Sequence, residues 1–159
     1  MKIIIPIGIS GSGKSTIFRY GFINDYDILV CPDDIRFKLT GNISDQSKNK
    51  QVFEIVDLLI DGAVKQDKNV FLDATNVNTK NRKKLVNKYK DNPNVMIQYY
   101  ILPADVKVSY ERIQNDLKNG VNRSNVSMEV LERQYKMYME TLDNGFVGEN
   151  VQSVVFVKD

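Results

Sequence analysis

The stretch GISGSGKST, residues 8–16, decides the fold, because its spacing fits G-x-x-x-x-G-K-[ST]. The apolar run IIIPI, residues 3–7, stands immediately before it and is typical of a central strand in a parallel sheet. A helix from Lys14 to about Tyr20 is expected after it. A strand, a glycine-rich turn and a helix in this order surround an anion with backbone N–H groups and the positive end of a helix dipole. The stretch therefore predicts a phosphate-binding loop.

The residues of this loop have different predicted tasks. The glycines let successive backbone N–H groups point into one concavity. Lys14 is expected to reach the β- and γ-phosphates of a nucleoside triphosphate, and the Ser15 hydroxyl is expected to ligate the Mg²⁺ that the nucleotide carries. The predicted nucleotide-binding residues are Ser10, Gly11, Ser12, Gly13, Lys14, Ser15 and Thr16. The loop itself does not distinguish ATP from GTP.

The remainder of the chain predicts an α/β protein, because strand-like runs alternate with segments that carry apolar residues at helical spacing. Five strands are expected, at residues 2–7, 26–31, 69–75, 94–102 and 153–157. Helices are expected between them, the clearest over residues 48–66, whereas only one helical turn is expected after Pro32. We predict a single domain over residues 1–159, a three-layer sandwich of about five parallel strands with helices on both faces.

Composition excludes several classes of function. The formal net charge is only +2, which excludes a strongly basic nucleic-acid coat but permits a local basic groove. The sequence has no histidine, so Ser-His-Asp and Cys-His nucleophiles, phosphohistidine intermediates and His-based zinc sites are excluded. A general base near neutral pH is therefore expected to be a carboxylate, in preference to Lys or Tyr.

Two further features indicate the compartment. Cys31 is the single cysteine, so an internal disulfide is excluded and a reducing environment is expected. The apolar run at residues 3–7 is too short for a signal-peptide core or a membrane span. We therefore expect a cytoplasmic protein that does not contact membranes.

The segment CPDDIR, residues 31–36, contains the candidate catalytic carboxylate. It follows the second predicted strand, and residues past the carboxyl ends of parallel strands face the ligand crevice. A carboxylate there can accept the proton of a hydroxyl that attacks the γ-phosphate, and Arg36 can clamp a phosphate on the acceptor. The alternative is that one aspartate caps the helix and the other is solvated. We assign catalysis to Asp33 and leave Asp34 open between the two interpretations.

The phosphate-binding loop alone does not separate a kinase from a switch or a motor. A GTPase would need N-K-x-D and D-x-x-G motifs, and neither occurs in the sequence. The third predicted strand ends with Asp73 alone, without the acidic pair of an ATPase motor. A kinase is therefore the preferred interpretation.

Four segments taken together resemble the kinase domain of bacteriophage-type 5′-polynucleotide kinases. They are GISGSGKST, CPDDIR, FLDATNVNTKNRKKL and the pair ERIQ and NRSNVSMEVLERQYKMY, and they stand in the family's order across nearly the whole chain. That family transfers the γ-phosphate of ATP to a 5′-hydroxyl end of DNA or RNA. The resemblance implies a P-loop kinase fold, ATP and Mg²⁺ as cofactors, 5′-hydroxyl nucleic-acid ends as partners and a role in nucleic-acid repair. Relatives assemble into tetramers, so a homo-oligomer is one expectation.

The resemblance also implies roles for individual residues. Lys14 matches the catalytic lysine of the nucleotide loop, Asp33 matches the general base, and Arg36 matches the arginine that grips the phosphate beside the acceptor nucleoside. The D-x-T-N segment, which helps to build the acceptor side, matches Asp73, Thr75 and Asn76.

A lid that closes over the triphosphate is implied at about residues 112–127. Arg112 and Arg123 are its candidate arginines, and we assign catalysis to Arg123, because a mobile basic loop can close on the polyphosphate and exclude water. The chain departs from the family here, since the lid is longer than usual and the family's V-P is Val126-Ser127.

Two other functions stay open. A kinase for a nucleoside, nucleotide or sugar would use the same scaffold with a closed acceptor pocket. A nucleotide-dependent switch or assembly ATPase would transfer nothing, and the D-D-x-x-R segment argues against it. The basic cluster KNRKKL, residues 80–85, fits a solvated helix face or part of a nucleic-acid funnel equally well. A phosphatase activity is not expected, because the only D-x-D precedes a strand instead of following one.

Overall fold

The computed structural model describes residues 1–19 and 25–158. In these ranges the strands form a five-stranded sheet with the order β2-β3-β1-β4-β5, and every neighbouring pair is parallel. The strands are β1 Lys2–Ile7, β2 Ile28–Val30, β3 Val70–Leu72, β4 Met96–Ile101 and β5 Ser153–Phe156. The prediction of an α/β protein with five parallel strands is confirmed, although β2 and β3 are shorter than predicted.

Six helices connect and flank these strands within the described ranges. They are α1 Lys14–Arg19, α2 Pro32–Thr40, α3 Asn49–Lys65, α4 Thr79–Lys88, α5 Val106–Lys118 and α6 Met128–Asn144. The predicted end of the first helix at Tyr20 lies outside the described residues.

The segment after β2 is a full helix, not the single turn that the sequence predicted. Pro32 occupies its first turn, where a fixed φ and a missing N–H are tolerated. Gly41 ends it in the left-handed conformation, with φ of 76°, and donates its N–H to the Phe37 carbonyl 2.8 Å away. These two end signals enclose nine residues, enough for two and a half turns.

The helices that follow β3 and β4 begin at side-chain caps. Asn78 accepts a hydrogen bond from the Asn81 N–H at the start of α4. Asp105 caps α5 and Ser127 caps α6 in the same way. Local sequence therefore determines where these helices start.

The core lies on both sides of β1, which is buried at five of its six positions. Ile3, Ile5 and Ile7 belong to the larger apolar cluster, whereas Ile4 belongs to a second one with Phe71. Because successive side chains of a strand point to opposite faces, the two clusters fill the two sides of the sheet. This is the three-layer arrangement, and it places the loop after β1 at the middle of the carboxyl edge.

The two edges of the sheet are β2, which leads into α2, and β5. Strand β5 is exposed at three of its four positions, and the side chain of Phe156 is 63% exposed. Within the described ranges, no helix has the length and apolar character needed to cross a bilayer.

Candidate active site

The loop between β1 and α1 has the backbone shape that its glycines predict. Gly11 and Gly13 adopt φ of 74° and 96°, a region that other residues rarely enter. A Cβ on Gly11 would also lie 2.8 Å from the Ser109 carbonyl oxygen, and one on Gly8 would lie 2.6 Å from the Ser12 Oγ. Gly11 therefore cannot accept a side chain, because it would meet backbone, whereas at Gly8 the Ser12 side chain would have to turn away.

Lys14 lies beneath this loop with only 8% of its surface exposed. Its Nζ donates to the carbonyl oxygens of Ile9 at 2.7 Å and Gly8 at 3.2 Å. Burial lowers the pKa of the Lys14 ammonium to about 8, and the nearby Asp73 carboxylate opposes that shift. The cation is therefore held against the loop that is predicted to bind nucleotide phosphates.

Asp73 follows β3 and lies beside the loop serine. Its Oδ2 accepts a hydrogen bond from the Ser15 Oγ at 3.2 Å, and burial raises the pKa of the Asp73 carboxyl while Lys14 and Ser15 oppose that rise. The sequence placed Asp73 on the acceptor side, whereas its carboxylate contacts the nucleotide loop. A hydroxyl and a carboxylate are hard oxygen donors, so Ser15 and Asp73 fit Mg²⁺ that arrives with a nucleotide.

A cavity of about 680 Å³ collects most of the residues that the sequence singled out. Those that line it are Ser10, Gly11, Gly13, Lys14, Ser15, Thr16, Asp33, Asp73, Thr75 and Arg123. Asp34 and Arg112 line it too. Three predicted residues do not line it, namely Ser12, Arg36 and Asn76.

Arg36 points toward the interior and contacts the candidate base. The arginine is 5% exposed, and its Nη1 donates to Asp33 Oδ1 at 2.5 Å. Its Nε and Nη2 donate to Asn49 Oδ1 at 3.3 and 3.1 Å. One contact therefore reaches the Asp33 carboxylate, and the other two anchor the guanidinium of Arg36 to the start of α3. Asn49, the first residue of α3, carried no signal in the sequence.

Asn76 shapes the turn that follows β3. Its backbone has φ of 53°, and its Nδ2 lies 2.8 Å from the Pro6 carbonyl oxygen, 3.0 Å from that of Ala74 and 3.3 Å from that of Leu72. The amide thus ties the ends of β1 and β3 together. The aspartate and threonine of the same D-x-T-N segment line the cavity, whereas this asparagine holds the backbone that presents them.

A buried ion pair supports that turn from below. Arg82 donates from Nη1 to the Asn76 carbonyl oxygen at 2.8 Å, and it binds Glu149 through two nitrogens at 2.6 and 3.0 Å. The side chains of both charged residues are 1% exposed, and the Tyr99 hydroxyl donates to Glu149 at 2.7 Å. Arg82 lies within the basic cluster at residues 80–85, so the central residue of that cluster belongs to the interior and not to a surface funnel.

The lid candidates lie on the same side of the cavity as the nucleotide loop. Arg112, on α5, places Nη1 3.4 Å from the Gly11 carbonyl oxygen. Arg123 donates from Nη1 to Asp116 Oδ2 at 2.6 Å, and its buried Nε has no hydrogen-bond partner. Asp116, which the sequence analysis missed, therefore neutralises the predicted catalytic arginine in this structure.

A comparison with protein families shows which family the chain belongs to. The family model of the AAA domain matches residues 3–141, most of the sequence. The chain belongs to the AAA domain family. No curated protein matches this AAA domain at a significant level.

Several solved structures have a fold similar to that of this AAA domain. A chain in the structure of the Pnkp1/Rnl/Hen1 RNA repair complex has a TM-score of 0.77 and 24% identity, over 90% of the domain and 45% of that chain. A chain in a structure of the Pnkp1/Rnl/Hen1 complex has a TM-score of 0.60 and 30% identity, and the match covers 70% of the domain and 38% of that chain. Deoxyadenosine kinase from M. mycoides has a TM-score of 0.55 and 18% identity, and the match covers 99% of the domain and 90% of that chain. The domain thus has a kinase-type P-loop fold and spans less than half the length of the first two chains.

Gln134 of α6 is a further residue of the AAA domain's site that the sequence analysis missed. Its Oε1 accepts a hydrogen bond from the Ser10 N–H at 2.8 Å, which ties the nucleotide loop to the helix after the lid. The contact spans 124 residues of sequence, so no local pattern indicates it. This contact therefore joins α6 directly to the nucleotide loop.

The pKa of Lys14 leads to a prediction about nucleotide affinity. With a pKa of about 8, Lys14 carries its charge at pH 7 and loses it as the pH rises. We expect the Kd for Mg·ATP to rise about tenfold between pH 7 and pH 9, because the charged fraction of the free protein falls by that factor. Calorimetric titration across this range measures the effect.

The matched control for this prediction is Lys14→Met, which should bind Mg·ATP more weakly and with little dependence on pH. A wild-type Kd that stays constant from pH 7 to pH 9 would show that the ammonium keeps its ordinary pKa or does not contact the nucleotide.

Proposed function

We propose that this AAA domain is a polynucleotide 5′-hydroxyl kinase, which transfers the γ-phosphate of ATP to a 5′-hydroxyl end of DNA or RNA. The observation that carries the proposal is the position of Asp33. Its carboxylate lines the same cavity as Lys14 and the nucleotide loop, yet its side chain is 49% exposed. A base at the open side of a phosphate site can be reached by the end of a polymer.

The proposed reaction is an in-line displacement. The acceptor 5′-oxygen forms a bond to the γ-phosphorus while the bond from that phosphorus to the β–γ bridging oxygen breaks. The hydroxyl proton passes to Asp33, and ADP leaves. Mg²⁺, when bound with the nucleotide beside Ser15 and Asp73, supplies neutralisation of the phosphate charge.

Other residues supply position and charge. Arg36 and Asn49 fix the Asp33 carboxylate so that one oxygen stays free for the incoming hydroxyl. Lys14 stabilises the charge that develops on the transferring group. Arg123 also stabilises this charge once it leaves Asp116 and binds the polyphosphate. The polyphosphate then provides a hydrogen-bond partner for the Arg123 Nε, which has none in this structure.

The second candidate is a small-acceptor kinase on the same scaffold. Deoxyadenosine kinase from M. mycoides supports it, because the likeness covers 99% of this chain and 90% of that enzyme. The RNA repair complexes support the polynucleotide proposal and a role in nucleic-acid repair, although the chain covers only 45% and 38% of the chains it matches there. We also propose that the enzyme acts in the cytoplasm and that it forms a homo-oligomer.

The acceptor hydroxyl itself provides the test. Two oligonucleotides of one sequence, with a 5′-hydroxyl or with a 5′-phosphate, are offered with Mg·ATP, once as DNA and once as RNA. We expect ADP release that depends on the 5′-hydroxyl and stays at the background level with the blocked end. ADP release that is equal with both ends would indicate a hydrolysing switch or ATPase.

A further inference from the structure

An exposed aromatic residue lies one helical turn beyond the proposed base. Phe37 follows Asp33 by four positions on α2, so its Cα lies about 6 Å further along the helix axis and about 40° around it. The two residues of α2 that line the cavity, Asp33 and Asp34, are about 100° apart, and Phe37 projects between these directions. Phe37 does not itself line the cavity, and it stands one turn beyond the residues of α2 that do.

The opposite side of α2 belongs to the fold. Pro32 and Arg36 are buried there, and Arg36 contacts α3 through Asn49. Phe37 is 44% exposed, and in the described part of the chain no other aromatic ring stacks on it. A phenyl ring next to a ligand cavity, not used by the core, is available for a flat apolar ligand.

The spacing matches the acceptor that the proposed function requires. In a nucleotide, the sugar separates the 5′-oxygen from the base by a distance similar to one helical turn. A 5′-hydroxyl held at Asp33 therefore has its base within reach of Phe37. Every base has a π-face that stacks on an aromatic side chain whatever the sequence.

We propose that Phe37 is the stacking platform for the terminal nucleobase of the acceptor strand, an inference that rests on the proposed function. Stacking of this kind would hold a polymer end whatever its terminal base. Two other exposed phenylalanines are less suitable. Phe53 lies on α3, which contributes no residue to the cavity lining, whereas α2 contributes Asp33 and Asp34. Phe156 lies on β5, at the edge of the sheet opposite to β2.

The test compares Phe37→Ala with the wild type on a 5′-hydroxyl oligonucleotide. We expect the acceptor KM to rise about 5- to 150-fold, the range for loss of one stacked base, with a much smaller change in the KM for ATP. Phe37→Trp should restore the acceptor KM. Phe156→Ala is the matched control, because it removes another exposed phenyl ring, on the edge strand β5, which lies at the opposite edge of the sheet from the β2 strand that leads into α2.

A second experiment changes the substrate of the wild-type protein, so its result does not depend on whether a variant folds. An oligonucleotide with an abasic 5′-terminal nucleotide should raise the wild-type acceptor KM by the same factor, and it should raise that of Phe37→Ala no further. Wild type that transfers nothing to either oligonucleotide refutes the proposed function and this inference together. The inference alone is refuted if the wild type is active and its acceptor KM is the same for the abasic and the ordinary oligonucleotide. It is also refuted if Phe37→Ala has the wild-type acceptor KM.

Discussion

Asp33→Asn is expected to lower the rate of phosphoryl transfer by about 100- to 10,000-fold, the range for loss of a general base. The amide has the shape of the carboxylate, and its oxygen can still accept the Arg36 hydrogen bond that now measures 2.5 Å. The local structure should therefore survive while the proton acceptor is lost. Lys14 and the loop are untouched, so the Kd for Mg·ATP should change little. Single-turnover transfer to a 5′-hydroxyl oligonucleotide and calorimetric ATP binding measure the two quantities separately.

Asp34→Asn is the matched control for this prediction. Asp34 lies beside Asp33 and lines the same cavity, but within the described chain Arg36 binds only Asp33 of the two. We expect Asp34→Asn to lose less than about tenfold in rate, since it removes nearby charge but not the base. An Asp33→Asn variant with nearly wild-type transfer, or a greater loss at Asp34, would assign the base to a different residue.

Glu149→Gln is expected to lower the free energy of unfolding by about 3–5 kcal/mol, because it leaves the Arg82 charge buried without a counter-ion. Both side chains are 1% exposed, so water does not compensate for the loss. The same arginine holds the Asn76 carbonyl, so the turn that presents Asp73 should also loosen. Urea unfolding followed by circular dichroism measures the stability.

Lys88→Met is the control for the buried pair. Lys88 and Asp61 form an ion pair at 2.7 Å with side chains 43% and 35% exposed, and Asp61 keeps its Tyr89 hydrogen bond in the variant. An exposed pair of this kind contributes about 0–1 kcal/mol. If Glu149→Gln cost no more than Lys88→Met, the buried network would not be what holds the turn.

The features that sequence predicted well are those encoded by neighbouring residues. The strand, loop and helix around Lys14 follow from apolar residues, glycines and a helix start that are contiguous. The nine-residue helix Pro32–Thr40 also has local signals at both ends, although the sequence predicted only one turn there. The parallel sheet follows because strands alternate with helices along the chain.

The features that sequence missed depend on which way a polar side chain turns. Arg36 was expected to face the acceptor, but it turns inward to Asp33 and to Asn49, 13 residues away. Arg82 was grouped with surface lysines, yet it stands four residues before the buried Val86 and so lies on the inner face of α4. That spacing was a usable signal. Asp116 and Gln134 gave none, because tertiary packing alone brings them to the lid and the loop.

The central claim is that a hydroxyl at the end of a nucleic acid takes the γ-phosphate of ATP at Asp33. A competition measures it most directly, with γ-labelled Mg·ATP, a 5′-hydroxyl oligonucleotide and an equimolar mixture of free nucleosides in one reaction. We expect the label on the 5′ end of the oligonucleotide, and its loss in Asp33→Asn. Label on the nucleosides, or orthophosphate released at a rate that no acceptor changes, would contradict the claim.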